Sequence, residues 1–299
     1  MFYLSKMSEN SENKIKKEIN SDFPRFKVFL LEAFLFSLTL FLGILSAWKI
    51  NKILEIENIS VSKISFFEFL GYFFLFTLFF IFLVYFKKGE EKKGIIFKTL
   101  FIFSVFFGGE ILLSSLIGFS GICAILMGIL IFLWLKSSSI FIHDLIIILG
   151  IAGVGAVLGL SLEPQIIILL LIIFSIYDII AVYITKHMIR IAKEMVRQKV
   201  IVGFIFPSNI SDFKESVEKV EPGGKFVVLG GGDVVFPLLL CVSLVPWGIK
   251  NSLIIAIFAL IGLFISYLIF ISQKFRRPIP ALPPIALFSI IGFFITLII

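Results

Sequence analysis

The chain has 299 residues, 59% hydrophobic and 16% charged, with a formal net charge of +7 and a mean hydropathy of +1.11. Soluble domains are closer to half apolar and a quarter charged, so this composition excludes a disordered chain, a disulfide-framed domain and a water-soluble enzyme. Thirty-eight phenylalanines exceed what a soluble core of this size can hide, so most of the surface must face lipid.

Residues 1–25 are polar and mixed in charge. They are expected to be a cytoplasmic segment, partly helical, and not a signal peptide: the apolar stretch that follows is too long and no cleavage site is apparent. A helix needs about 20 apolar residues to cross a bilayer. Nine segments meet or approach that length: Phe26–Trp48, Phe66–Phe86, Ile95–Ile117, Phe119–Leu135, Ile140–Leu160, Gln165–Thr185, Phe226–Val245, Ser252–Ile271 and Ile279–Ile299. The third and fourth are separated only by Gly118, with Ser120 and Gly121 just beyond it. Pro164 is placed to start the sixth. The predicted organisation is a polar segment (1–25), six spans (26–185), a cytoplasmic loop (186–225) and three spans (226–299). The fold class is an all-α polytopic membrane protein.

Lysine and arginine set the orientation. Alternate connections, beginning with the N-terminal segment and counted with Lys27 and Lys98 in the first turn of the adjoining spans, carry 23 of the 27 basic residues. That bias predicts a cytoplasmic N-terminus, an external C-terminus and an odd number of spans. The long loop opens with Lys186–Lys199, where Met188, Ile191, Met195 and Val200 fall near one helical face and Arg190, Lys193 and Arg197 elsewhere. This predicts an amphipathic basic helix or a plain extension of the sixth span. Val200–Phe206 is apolar but too short to span, and Ser208–Pro222 is polar and expected to be mobile.

Ionisable groups inside spans are costly and usually functional. Glu32 is expected to snorkel to the inner interface, and Asp144 and Glu163 lie at span ends where a charge costs little. Glu110 is deeper, with a structural pairing and a functional role about level. Asp178 and Asp233 differ because their depths match. Each lies roughly 11–12 Å below the inner interface at 1.5 Å per residue, on consecutive antiparallel spans. Neither has a Lys or Arg at its depth in a span to neutralise it, so a facing pair must share a proton. Such a pair suits an aspartic protease: the ionised carboxylate takes a proton from water and the protonated one hydrogen-bonds the scissile carbonyl. It also suits a transporter, in which buried carboxylates carry protons or Na⁺. Charge pattern alone favours the transporter slightly.

The flanking residues decide. Tyr177 precedes Asp178, the run Gly230-Gly231-Gly232 precedes Asp233, and Pro280-Ala281-Leu282-Pro283 opens the last span. Together these resemble the presenilin and signal-peptide-peptidase family of intramembrane aspartyl proteases: Tyr-Asp, Gly-x-Gly-Asp and Pro-Ala-Leu, in order, on the sixth, seventh and ninth of nine spans. The resemblance covers residue 26 to the end. It implies that Asp178 and Asp233 are catalytic, and that Tyr177, Gly230, Gly231, Gly232, Pro280, Ala281 and Leu282 shape the site.

The physics agrees with the resemblance. Glycines before Asp233 let backbone and substrate approach, and they weaken the helix there by about 1 kcal/mol each. Phe226–Leu229 is β-prone and offers a strand edge to an unwound substrate. Pro280 and Pro283 prevent a regular helix start and leave carbonyls free for the substrate or the dyad. A transporter predicts broken helices repeated in two halves, whereas here the interruptions cluster in the last third. Gly118-Phe119-Ser120-Gly121 resembles the motif of rhomboid serine proteases. However, His143 and His187 fall on the opposite membrane face, roughly 30 Å away, so a tight turn is expected instead.

No cofactor is implied. The two histidines leave little for a metal site, and Cys123 and Cys241 lie in apolar runs. A cytoplasmic N-terminus matches presenilins rather than the inverted signal peptide peptidases, so the expected substrates are single transmembrane helices of type I orientation. The other expected partner is the lipid bilayer; a homo-oligomer stays open and no nucleic acid is expected. Abundant Ile, Lys, Phe and Asn with short loops point to a microbial, archaeal homologue from an AT-rich genome, in the cell membrane of a prokaryote.

Overall fold

The structure is a computed structural model that describes residues 25–86, 90–185, 195, 196, 198, 200–220, 225–273 and 278–299. The polar segment before residue 25 and most of the expected amphipathic helix at 186–199 lie outside the described residues. The helices in chain order are α1 (Arg25–Ile56), α2 (Phe66–Phe86), α3 (Glu90–Ile117), α4 (Ser120–Ser137), α5 (Ile140–Ser161), α6 (Pro164–Ile179), α7 (Gly231–Ser243), α8 (Ile249–Ile271) and α9 (Leu282–Thr296). Between α6 and α7 lie two short strands, β1 (Gly203–Pro207) and β2 (Phe226–Gly230). Among the described residues, six helices are long and apolar enough to cross a membrane, and three shorter apolar ones lie at Phe66–Phe79, Gly231–Trp247 and Leu282–Thr296. The protein is an integral, multi-pass membrane protein.

Close helix approach depends on small residues, because lipid supplies no hydrophobic drive between helices. On α5, Gly153 packs so tightly on α3 that a Cβ there would collide with the Gly108 carbonyl. The next stretch of α5 turns to α7: a Cβ on Gly159 would meet Val242 at 2.6 Å. On α8, Gly262 admits the backbone of Ile285 at the start of α9, where a Cβ would lie 2.6 Å from Ile285 Cα. Helix α7 is the hub. Val234 and Leu238–Val242 are buried among α1, α5, α6, α8 and α9.

Two segments differ from expectation. The seventh apolar segment reads as a span from Phe226, with a β-prone start whose strand edge is expected to serve a substrate. Instead Phe226–Gly230 pairs antiparallel with Gly203–Pro207, in the register Phe204↔Leu229 and Phe206↔Val227. Both runs are rich in β-branched and aromatic residues, and each is too short to span alone, so pairing satisfies both backbones. Helix α7 therefore starts at Gly231 and is about 20 Å long. The polar stretch after β1, expected to be mobile, is instead tied down. Ile140 N–H donates to the Glu215 carbonyl (3.0 Å), and Val217 N–H donates to the Ser138 carbonyl (2.8 Å). Val217 and Val220 pack with Ile140, Ile201, Ile205 and Phe226 in a small satellite core.

Candidate active site

Three motifs distant in sequence meet around α7. Asp178 lies near the end of α6, and directly after it the helix widens into a π-turn over Ile180–Ile184, closed by Thr185 N–H on the Ile180 carbonyl (2.9 Å). Such turns interrupt α-helices mostly at functional places. Asp233 sits in the first turn of α7. The two carboxylates, on consecutive antiparallel helices, lie within electrostatic reach of each other. The Asp233 carboxylate lies against the Gly230 backbone. Pro237, four residues on, has no N–H, so the Asp233 carbonyl lacks its helical partner.

The prolyl segment reaches the pair from the third side. Leu282 N–H points at Asp178 Oδ2 across 3.4 Å, a long bond. Pro283 and Pro284 follow it, so Leu282 is the only one of the first three residues of α9 that can donate. The expectation for this segment was free carbonyls. Instead the Ala281 carbonyl is occupied by Ser266 Oγ of α8 (3.1 Å), and the group delivered to the dyad is an N–H. Pro280 lies in the non-helical approach to this helix start.

The glycines have separate duties. Gly230 has ordinary extended angles, φ −62° and ψ 140°, so no unusual conformation demands glycine there. Space does: a Cβ on Gly230 would lie 3.1 Å from Asp233 Oδ2, and one on Gly231 would lie 3.3 Å from the Val202 carbonyl. Gly232 is different. A Cβ there would meet only the Phe236 ring, at 3.8 Å, so its side of the helix is open. Tyr177 is half exposed, at 52%, on the same turn as Asp178.

Several expectations about other residues change. Glu32, expected at the inner interface, lies within electrostatic reach of Asp233. Asp144, expected as an inexpensive span-end charge, is buried and accepts the Ile205 N–H at 3.0 Å. Beside it, His143 is buried against β1, with Nε2 3.2 Å from the Gly203 carbonyl. Glu110 accepts Ser120 Oγ at 2.8 Å. The serine of the rhomboid-like run is thus engaged, and Gly118 before it takes φ +87° as a tight turn. Sequence reading also missed Phe174 and Phe236, whose rings stack 4.5 Å apart between α6 and α7. Their only sequence signal is a position one turn from each aspartate.

Comparisons with known proteins show the family and the fold. A family model described as signal-peptide peptidase, presenilin aspartyl protease matches residues 26–299. Two solved structures of a presenilin family intramembrane aspartate protease, in C222 and P2 space groups, share this fold. Their TM-scores are 0.53 and 0.52, both at 24% identity, covering 89% and 88% of this chain and 95% and 96% of theirs. No curated protein matches the sequence. The family is proteolytic, which decides against the carboxylate transporter. The chain belongs to the signal-peptide peptidase and presenilin family of aspartyl proteases, and is an intramembrane aspartyl endopeptidase.

Proposed function

We propose that Asp178 and Asp233 are the catalytic dyad, cutting peptide bonds in transmembrane segments of type I orientation. The observation that carries this is the convergence of the two carboxylates with the Leu282 N–H, which brings three separate motifs to one point. One aspartate, ionised, takes a proton from a water. The other, protonated, hydrogen-bonds the scissile carbonyl as the water oxygen attacks its carbon. The tetrahedral intermediate then collapses when a proton passes to the leaving nitrogen. The outer edge of β2, unpaired among the described residues, runs toward Asp233 and supports a substrate that unwinds and adds as a strand.

All nine helices cross the membrane in this reading, with the N-terminus in the cytoplasm. The 23-of-27 basic bias supports it. Helices α7 and α9 are short because β2 and the prolyl segment complete their passage on the inner side, where irregular backbone lines a water-accessible site. The host membrane is then the cell membrane of a prokaryote. The test is cleavage of a type I transmembrane peptide by purified protein, comparing wild type with Asp178→Ala and Asp233→Ala. Wild type cutting no better than either variant refutes the assignment.

A further inference from the structure

The two strands of the hairpin have unequal outer edges. Gly231 N–H donates to the Val202 carbonyl (3.0 Å) and Ser208 N–H to the Lys225 carbonyl (3.1 Å). Those bonds, with the observed register, make Phe204–Leu229 and Phe206–Val227 the pairs whose backbone groups face each other. Gly203, Ile205 and Pro207 on β1 therefore turn their backbone groups outward, as do Phe226, Val228 and Gly230 on β2.

The outer edge of β1 is already occupied. His143 Nε2 lies 3.2 Å from the Gly203 carbonyl, Ile205 N–H donates to Asp144 Oδ1 at 3.0 Å, and Pro207 has no N–H. Both side chains come from the first turn of α5 and are 0% and 3% exposed. His143 is held by rings, 5.8 Å from Phe101 at an interplanar angle of 10° and 6.1 Å from Trp134. A histidine and an aspartate at such burial are costly in a membrane helix, yet both reach the backbone of one strand, His143 at Gly203 and Asp144 at Ile205. Among the described residues, nothing hydrogen-bonds the outward backbone groups of Phe226 and Val228 on β2. Val228 is 46% exposed, and the next outward residue, Gly230, lies beside the Asp233 carboxylate.

We propose that His143 and Asp144 are positioning residues that close the far edge of the hairpin. A substrate strand then adds only at β2, in the register that leads its scissile bond to Asp233. This rests on the protease reading and extends it to the choice of the bond that is cut. A hairpin open on both edges accepts a strand in two places. A strand that slips by two residues presents a different peptide bond to the dyad.

The test uses the full chain with a type I transmembrane peptide, mass analysis of the products and amide exchange of β1. Asp144→Asn keeps an oxygen acceptor for Ile205 N–H, whereas Asp144→Ala removes it. His143→Phe keeps the ring packing but loses the donor. We expect Asp144→Ala and His143→Phe to spread the cuts over several bonds and to lower kcat/KM about tenfold. In Asp144→Ala the Ile205 amide should exchange about tenfold faster, with no substrate needed. Asp144→Asn should keep the wild-type cut and the protection. A single wild-type cut in both Asp144→Ala and His143→Phe overturns the proposal. So does an unchanged Ile205 exchange rate in Asp144→Ala, or an Asn variant that behaves like Ala. If wild type cuts no better than Asp178→Ala, it is the protease reading that fails, and the exchange rate still decides whether the edge is closed.

Discussion

Phe174 and Phe236 stack with ring centroids 4.5 Å apart and planes at 27°. One ring lies a turn before Asp178 and the other a turn after Asp233, so the stack braces α6 against α7 on the deep side of both carboxylates. Aromatic pairs contribute about 1 kcal/mol beyond their area. Removing either ring loosens the distance on which proton sharing depends. Phe174→Ala and Phe236→Ala should each lower kcat/KM about tenfold. The double variant should lose less than the two single losses combined, with a coupling of about 1 kcal/mol. Strict additivity in a double-mutant cycle on activity would show that the stack does not set the dyad.

The pair of aspartates was legible in sequence because membrane depth is linear in residue number, and because charge inside apolar runs is rare. The helices were legible for the same reason of length. The strand at Phe226–Leu229 was legible from its β-prone residues, but its partner Gly203–Pro207 was not, because a short apolar run in a polar loop does not show what it pairs with. Nor was the burial of Asp144, whose partner Ile205 is 61 residues away. Nothing singled out Phe174 and Phe236 among 38 phenylalanines. The Pro-Ala-Leu run was legible as a break in the helix. Which backbone group it delivers depends on Ser266 of α8, which has already taken the Ala281 carbonyl.

Two glycines give opposite predictions. Gly203 has no room, since an added Cβ would collide with the Leu229 carbonyl. Gly203→Ala should therefore destabilise the protein and lower its thermal midpoint. Gly232 has room in the free enzyme, and alanine in the first turn of a helix is no worse than glycine. Gly232→Ala should leave the midpoint within a degree or two, yet reduce kcat/KM at least about tenfold, because its methyl occupies the open side of α7. Full activity in Gly232→Ala would mean that the substrate approaches elsewhere.

Ser266 is a quieter participant. Its hydroxyl lies 3.1 Å from the Ala281 carbonyl and 3.2 Å from the Gly262 carbonyl, so it ties the start of α9 to α8. The neighbouring Leu282 N–H then meets Asp178. Losing one such bond costs about 1 kcal/mol, roughly fivefold in a rate that depends on it. Ser266→Ala should reduce kcat by about that factor, and Ser266→Thr should restore most of it. Equal activity in all three would show that the position of α9 does not depend on this bond.

The dyad itself predicts the shape of the pH profile. Catalysis as proposed needs one carboxylate ionised to activate water and the other protonated to hold the carbonyl. Below the lower apparent pKa both are protonated and no base remains; above the upper one both are ionised and no acid remains. The rate should therefore be bell-shaped, and the two limbs belong to the pair rather than to either residue. Asp178→Asn and Asp233→Asn should each remove activity at every pH, because either substitution leaves a single carboxyl that cannot fill both roles. A profile with one limb, or an Asn variant that keeps activity at high pH, would mean that a single aspartate suffices and that the other serves only to shape the site.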